Sequence, residues 1–110
     1  MSKQQYFCRL IPPRPTFPQD ITPEEKLLMQ EHARYTRKAF IAGKILIYGP
    51  VRANSGTVGM AVLEVADEGE AQQFLQNDPS VRAGLNTFEI SPMMIAGAQA
   101  KPPTKKDFLN

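Results

Sequence analysis

The chain has 110 residues, of which 42% are hydrophobic and 22% are charged, and these proportions are ordinary for a single globular domain. It contains one cysteine and one histidine, which excludes a disulfide framework and the usual zinc sites with three or four nitrogen or sulfur ligands. No run of 18 apolar residues is present, so we expect no membrane partner, and the first ten residues lack the apolar stretch of a signal peptide. We therefore expect a cytoplasmic protein.

The net charge of +2 at pH 7 arises at the end of the chain. Residues 1–100 carry ten basic and ten acidic side chains, whereas the last ten residues hold three lysines and one aspartate. A neutral body is a poor match for the phosphate backbone of a nucleic acid. We expect no nucleic-acid partner, and we expect a domain over residues 1–96 followed by a flexible basic tail over residues 97–110.

The first predicted element is a strand over residues 4–11, which is short and rich in aromatic and β-branched side chains. A proline-rich segment over residues 12–21 follows it. Its four prolines remove backbone donors and fix φ, so it cannot continue the strand. Because it is longer than a typical connection, we expect a lid or a pocket wall there.

A helix is predicted from Thr22 to about Ala42, because Thr22 and Glu25 have the spacing of a capping box and Pro23 fits the first helical position. Gly43 provides a natural end. Side chains recur along this segment at helical spacing, which places His32 on or beside the buried face. The stripe contains Leu28, His32, Tyr35 and Ala39, and it is widened by Met29, Thr36 and Phe40.

Two further strands, over residues 45–51 and 57–65, are joined by a turn at residues 54–56, so we expect a hairpin. Simple alternation assigns the side chains of the first of these strands to opposite faces of the sheet. Both faces are then apolar. One carries Ile45, Ile47 and Val51, and the other carries Leu46 and Tyr48.

A second capping box, from Asp67 and Glu70, predicts another helix. This helix must end before Asp78, since a residue that precedes proline is pushed out of the helical region. Residues 80–84 are predicted to form a tight turn or a single helical turn. The last strand is predicted over residues 86–95 and carries a proline that limits its pairing.

The order of these elements is strand, helix, strand, strand, helix, strand. This order predicts an α+β protein with the ferredoxin-like βαββαβ fold, in which two helices cover one face of an antiparallel sheet. The second sheet face is apolar and uncovered in this arrangement. We therefore expect a homodimer through the sheet faces.

His32 and Asp78 are the leading catalytic candidates. Histidine is the residue type best suited to move protons near neutral pH, so His32 is a candidate general acid or base; the alternative is a helix histidine satisfied by a neighbour. A carboxylate beside an imidazole fixes its tautomer, which is the role considered for Asp78; the alternative is turn capping in an Asp-Pro pair. The spacing in sequence does not prove contact, but the topology permits it.

Four other side chains are candidates to hold a substrate oxygen, although a surface or packing role is the alternative for each. They are Tyr35, Tyr48, Arg52 and Arg14. Cys8 is interpreted as a small buried hydrophobe, because no neighbouring base activates it. Phosphate-binding glycine loops and nucleophile elbows are absent, and the third strand lacks the stacking aromatics of an RNA-recognition motif.

Four local segments, in this order and spacing, resemble the YciI-like (YCII-related) family. The resemblance covers roughly residues 4–96, and a proline-rich opening over residues 13–17 is similar to a subgroup with a long first loop. The segments are Glu31-His32-Ala33-Arg34-Tyr35, Tyr48-Gly49-Pro50, Asn77-Asp78-Pro79 followed by Ala83-Gly84, and Glu89-Ile90-Ser91-Pro92-Met93.

The resemblance implies a dimeric α/β-barrel built on the ferredoxin-like fold, with His32 and Asp78 as the active pair and with no cofactor or metal. Relatives of this family dehydrochlorinate a chlorinated hydroxyhydroquinone in aromatic degradation, and related barrels isomerise lactones. The leading hypothesis is therefore a cofactor-free enzyme for a small aromatic, quinone-like or lactone compound. The alternatives are a non-catalytic ligand-binding dimer and a haem protein with His32 as the axial ligand.

Overall fold

A four-stranded antiparallel sheet forms the frame of the structure, a computed structural model that describes residues 2–99. The strands are β1 (Gln4–Ile11), β2 (Ile45–Ala53), β3 (Gly56–Val65) and β4 (Thr87–Met93). The helices are α1 (Pro23–Ile41), α2 (Glu68–Gln76) and α3 (Pro79–Arg82). Most of the predicted basic tail lies outside the described residues.

The strands lie in the order β2-β3-β1-β4, and all three neighbouring pairs are antiparallel. This is an α+β architecture consistent with the predicted ferredoxin-like fold. The single helical turn predicted after the second helix is present as α3. Within residues 2–99, no helix has both the length and the apolar character that crossing a membrane requires.

The hydrophobic core lies between the helices and one face of the sheet. Leu63 on β3 is fully buried, and Tyr6 and Cys8 on β1 lie in the same cluster. Ala39 from α1 and Leu75 from α2 pack against them, so both long helices share this face. Burial of an aliphatic side chain of this size contributes about 1.5–3 kcal/mol, and truncation of Leu63 to alanine would cost about 2–5 kcal/mol.

A β-bulge in β2 changes which side chains face the helices. Ile45 pairs with Leu63, but Ile47 pairs with the very next residue of β3, Val62, so Leu46 is the extra residue. The bulge puts Ile45 on the helix face and Ile47 on the open face, where 58% of it is exposed. The predicted alternation, with Ile45 and Ile47 on one face and Tyr48 on the other, is therefore wrong.

The caps of the two long helices differ from each other. At α1 the predicted capping box is complete: Thr22 Oγ1 accepts from Glu25 N at 3.2 Å, and Glu25 accepts from Thr22 N at 2.9 Å. At α2, Asp67 accepts from Glu70 N at 2.9 Å, but the Glu70 carboxylate accepts from Ala66 N at 3.0 Å instead of from Asp67 N. The second predicted box is therefore not reciprocal.

Candidate functional site

His32 on α1 and Asp78 at the start of α3 form a hydrogen-bonded pair. The distance from His32 Nδ1 to Asp78 Oδ2 is 2.6 Å. Asp78 is almost completely buried, with 1% of its surface exposed, whereas 20% of the His32 side chain is exposed. The structure thus brings together two residues that lie 46 positions apart in the chain.

The local sequence around Asp78 explains how its carboxylate is held. Asp78 is the N-cap of α3, with Pro79 at the first helical position. Its Oδ1 accepts from Ser80 N at 2.8 Å and from Ser80 Oγ at 2.7 Å, which leaves Oδ2 for His32. A single buried carboxylate therefore both caps a helical turn and orients the imidazole.

The charge state of Asp78 determines the tautomer of His32. Burial alone would raise the pKa of Asp78, but the hydrogen bonds from His32 and Ser80 outweigh burial and hold that pKa below its usual value. Asp78 is therefore a carboxylate that only accepts hydrogen bonds, so His32 donates from Nδ1. In the neutral imidazole, Nε2 is then the unprotonated nitrogen, and no group of residues 2–99 hydrogen-bonds to it.

A cavity of about 840 Å³ lies between α1 and the sheet, and His32 lines it. Its walls are mainly apolar, and they come from α1, from the first three strands and from the proline-rich loop. Apart from the His32–Asp78 pair, the polar side chains in its lining include Thr36, Arg37, Tyr48 and Asn86. The hydroxyl of Thr36 is occupied, because it donates to the backbone oxygens of His32 and Ala33.

The proline-rich loop forms one wall of the cavity. Phe17 is 4% exposed, and it lines the cavity with Pro12, Pro18 and Ile21; the Phe17–Pro18 peptide bond is cis. The predicted role of this segment as a pocket wall agrees with this position.

Arg14 fastens the loop to α1. Its guanidinium donates to both carboxylate oxygens of Glu25, at 2.7 and 2.8 Å, and to Asp20 at 2.9 Å. It also lies 5.6 Å from the centre of the Phe17 ring. The hydrogen bonds from Arg14 lower the pKa of Glu25 to about 2. This bidentate ion pair joins the outer side of the wall to α1.

The four predicted substrate-binding residues do not lie together in the structure. Tyr48 lines the cavity. Arg52 lines a smaller depression beside the β2–β3 turn, and Arg14 is held by two carboxylates, so neither of these cations is brought to the main cavity. The Tyr35 hydroxyl donates to the backbone oxygen of Phe74 at 2.7 Å, and their rings stack with centroids 4.9 Å apart.

Two cavity residues were not predicted from the sequence. Arg37 lines the cavity and follows His32 by little more than one turn of α1, but the sequence predicts no role for it in the site. Asn86 was interpreted only as the start of the last strand, yet it is 3% exposed and lines the cavity. The sequence gives no sign that this polar residue is buried in a cavity, because its burial depends on the packing of α1.

Cys8 also lines the cavity and is 2% exposed. Burial raises the pKa of its thiol to about 12, so it remains a neutral thiol and not a nucleophile. This agrees with its interpretation as a small buried hydrophobe. Within residues 2–99, no three His, Cys, Asp or Glu side chains come together in a way that would hold a metal ion.

Comparison with known proteins identifies the family. The model of the YCII-related domain matches residues 6–94. This chain belongs to the YCII-related family. No curated protein sequence matches this member of the family.

Among solved structures, the chain is similar to 5-chloro-2-hydroxyhydroquinone dehydrochlorinase from Burkholderia phenoliruptrix AC1100, in complex with 2,5-dihydroxybenzoquinone. The TM-score is 0.55 and the sequence identity is 18%, over 81% of this YCII-related chain and 93% of the dehydrochlorinase. At this identity the similarity shows a shared fold.

Proposed function

We propose that this protein is a cofactor-free enzyme that transfers a proton on a small aromatic, quinone-like or lactone compound, with elimination or isomerisation. The observation that carries the proposal is the position of His32. Its Nδ1 is held at 2.6 Å by a buried carboxylate, and its ring lines an apolar cavity with Nε2 free of partners among residues 2–99. This is the arrangement that orients a histidine as a general base.

In the proposed mechanism, Nε2 of His32 accepts a proton from a hydroxyl group of the substrate. The positive charge that forms on the imidazole is stabilised by the Asp78 carboxylate, which keeps its own charge. The same proton then returns from Nε2 to a ring carbon, and this transfer completes an isomerisation. Asp78 acts through His32 and is a positioning residue, whereas His32 is the catalytic residue.

Elimination extends this proton transfer by one step. In a chlorinated hydroxyhydroquinone, the ring carbon that receives the proton is the carbon that bears chlorine. Chloride then leaves with the electrons of its carbon–chlorine bond, while a second hydroxyl group loses its proton. The net loss is one HCl, and the product is a hydroxylated quinone, so no oxidant or reductant is needed.

The size and lining of the cavity support a small, mainly apolar substrate. A volume of about 840 Å³ lies within the range of about 300–1,000 Å³ that is usual for small-ligand sites. The dehydrochlorinase of similar fold provides the first substrate class to test. We also propose Tyr48 as a contact for a substrate oxygen, since it is the predicted binding residue whose side chain lines this cavity.

We propose further that the chain is a homodimer and forms the α/β-barrel through the open sheet face. This face carries apolar side chains from three strands, with Ile47, Val62 and Phe7 in one row across β2, β3 and β1. A light-scattering mass of twice 12.3 kDa is expected, and Ile47→Lys should reduce it to the monomer mass. Ile41→Lys is the matched control, because Ile41 is exposed at the end of α1.

The proline-rich loop is proposed to define a subgroup within the family. It contributes an aromatic wall through Phe17 and is fastened by Arg14, so its length has a function in shaping the cavity. The proposal predicts that relatives with a shorter first loop have a wider opening at this position.

The test of the proposed function is an anaerobic assay with 5-chloro-2-hydroxyhydroquinone, which measures chloride release and quinone absorbance, followed by a panel of small lactones. Wild-type protein should turn over at least one compound, and His32→Ala should lower turnover by about 10²- to 10⁴-fold. Glu31→Ala is the matched control, since Glu31 is the exposed neighbour on the same helix. Saturable binding without product in any condition would instead assign the cavity to a non-catalytic binding protein.

A further inference from the structure

Asn86 is a buried amide whose hydrogen bonding within the chain is incomplete. Only 3% of it is exposed. Its Nδ2 donates to a thioether, the Sδ atom of Met29, at 3.4 Å, and its Oδ1 has no hydrogen-bond partner among residues 2–99. A thioether is a weak acceptor, so the amide has no strong side-chain partner among these residues.

The Asn86 side chain lies at the cavity that contains His32. Asn86 lines the same cavity as His32, and no side-chain oxygen or nitrogen of the described residues is both sealed from solvent and unpaired. The Oδ1 atom is therefore not sealed from solvent, and the open space that Asn86 lines is this cavity. Whichever way the amide is turned, one of its two groups faces sulfur and the other is presented to a ligand.

The backbone that carries Asn86 is tied to the same turn that holds the catalytic pair. Ser80 donates two hydrogen bonds to Asp78, and its backbone oxygen accepts from Asn86 N at 3.1 Å. Ser80 itself is completely buried. One short helical turn thus positions both the imidazole of His32, through Asp78, and the amide of Asn86.

Both groups are linked to one face of α1. Met29, which contacts the Asn86 amide, and His32, which pairs with Asp78, lie three residues apart on one face of the helix. Residues at this spacing are about 5 Å apart along a helix. The imidazole and the Asn86 amide are therefore held from neighbouring positions on the same helix.

We propose that Asn86 is a substrate-positioning residue that hydrogen-bonds a second oxygen of the ring compound whose first oxygen lies against His32. The inference rests on the proposed function of the cavity and narrows it to ring compounds with at least two oxygen functions. A compound with a single oxygen would leave the buried amide unpaired, and such a loss discriminates strongly between related ligands.

The test compares Asn86→Leu, which keeps the approximate size of the side chain, with the wild-type protein. Affinities for phenol and for the three dihydroxybenzenes are measured anaerobically by titration, and thermal unfolding is measured in parallel. Wild-type protein should prefer at least one dihydroxybenzene over phenol by about tenfold, and Asn86→Leu should lose that preference while it keeps its affinity for phenol. The melting temperature of Asn86→Leu should stay within about 3 °C of wild type or rise, because among residues 2–99 the side-chain amide forms only one weak hydrogen bond.

Several outcomes overturn the proposal. A fall in melting temperature of several degrees would make Asn86 a structural residue, and an unchanged preference in a stable Asn86→Leu protein would show that it does not contact the ligand. If His32→Ala abolishes turnover while Asn86→Leu keeps the preference, the proposed function stands and the role of Asn86 fails. If the preference depends on Asn86 but no compound is turned over, the role of Asn86 stands and the enzyme proposal fails. Absence of binding to wild-type protein, both of these phenols and of the compounds in the activity assay, would overturn both.

Discussion

Asp78 Oδ2 lies 2.6 Å from His32 Nδ1, and this one contact joins the long helix α1 to the four-residue helix α3. The carboxylate is buried, and within residues 2–99 its other hydrogen bonds are accepted from Ser80 alone. The imidazole in turn reaches the cavity. The pair therefore connects a rigid, buried anchor to a group that is accessible to a ligand, which is the physical requirement for a general base.

The first prediction concerns the same substitution at two N-caps, Asp78→Asn and Asp67→Asn. Asparagine caps helices about as well as aspartate, so Asp67→Asn should change the free energy of unfolding by less than about 0.5 kcal/mol. Asp78→Asn should cost about 2–3 kcal/mol, because the amide nitrogen that takes the place of Oδ2 cannot accept the hydrogen bond from His32 Nδ1. Chemical denaturation measures both values. Equal effects at the two sites would contradict the special role of Asp78.

The second prediction concerns stability in acid. The pKa of Glu25 is about 2 in the folded protein, below the value of about 4.3 in an unfolded chain, and the pKa of Asp78 is also lowered. As the pH falls, the unfolded chain therefore takes up protons first. The stability supplied by these two carboxylates is complete above about pH 5 and is lost as the pH falls towards 2.

Denaturation curves between pH 7 and pH 2 measure this loss. The free energy of unfolding should depend less on pH in Glu25→Gln and in Asp78→Asn than in wild type. Glu24→Gln serves as the control, since Glu24 is the exposed neighbour of Glu25. A pH dependence that is the same in all four proteins would contradict the assignment.

The third prediction concerns the fastening of the proline-rich loop. Glutamine preserves the capping box with Thr22 but loses the charge that Arg14 binds in bidentate fashion, so Glu25→Gln isolates the ion pair. Amide hydrogen exchange of residues 14–21 should become faster in this variant. The strand amides should be unchanged, and exchange in the loop at the wild-type rate would show that Arg14 does not hold it.

The fourth prediction concerns the reactivity of Cys8. Burial raises the pKa of its thiol to about 12. A disulfide reagent at pH 8 should therefore modify only a small fraction of native chains in the time in which it modifies all unfolded chains. Complete reaction in denaturant is the positive control. Rapid reaction of the native protein would mean that the cavity admits bulky reagents as far as β1.

Much of the fold follows from local signals in the sequence. The capping box at Thr22 and Glu25 places the start of α1, and Gly43, with φ of +86°, takes the left-handed conformation that ends it. The order of the elements then predicts the sheet topology. The helical stripe correctly places His32 at the edge of the buried face, where it reaches both Asp78 and the cavity.

Where the predictions from sequence were wrong or missing, the cause is a contact between distant parts of the chain that local sequence patterns do not contain. The bulge at Leu46 depends on pairing with β3, so alternation within β2 alone assigns Ile47 to the wrong face. The ion pairs of Arg14 depend on the path of the loop back to α1. The burial of Asn86 depends on its contact with Met29, 57 residues away in the chain.

The role of His32 is tested by NMR of its ring nitrogens during the addition of 2,5-dihydroxybenzoquinone, in wild type and in Asp78→Asn. In wild type, we predict a strongly downfield Nδ1-bound proton that is present before ligand is added, and a change in the Nε2 signal that saturates as ligand binds. In Asp78→Asn, the downfield proton should be lost. If the Nε2 signal is indifferent to the quinone and to every hydroquinone and lactone tested, His32 is a packing residue and the proposed active site is wrong.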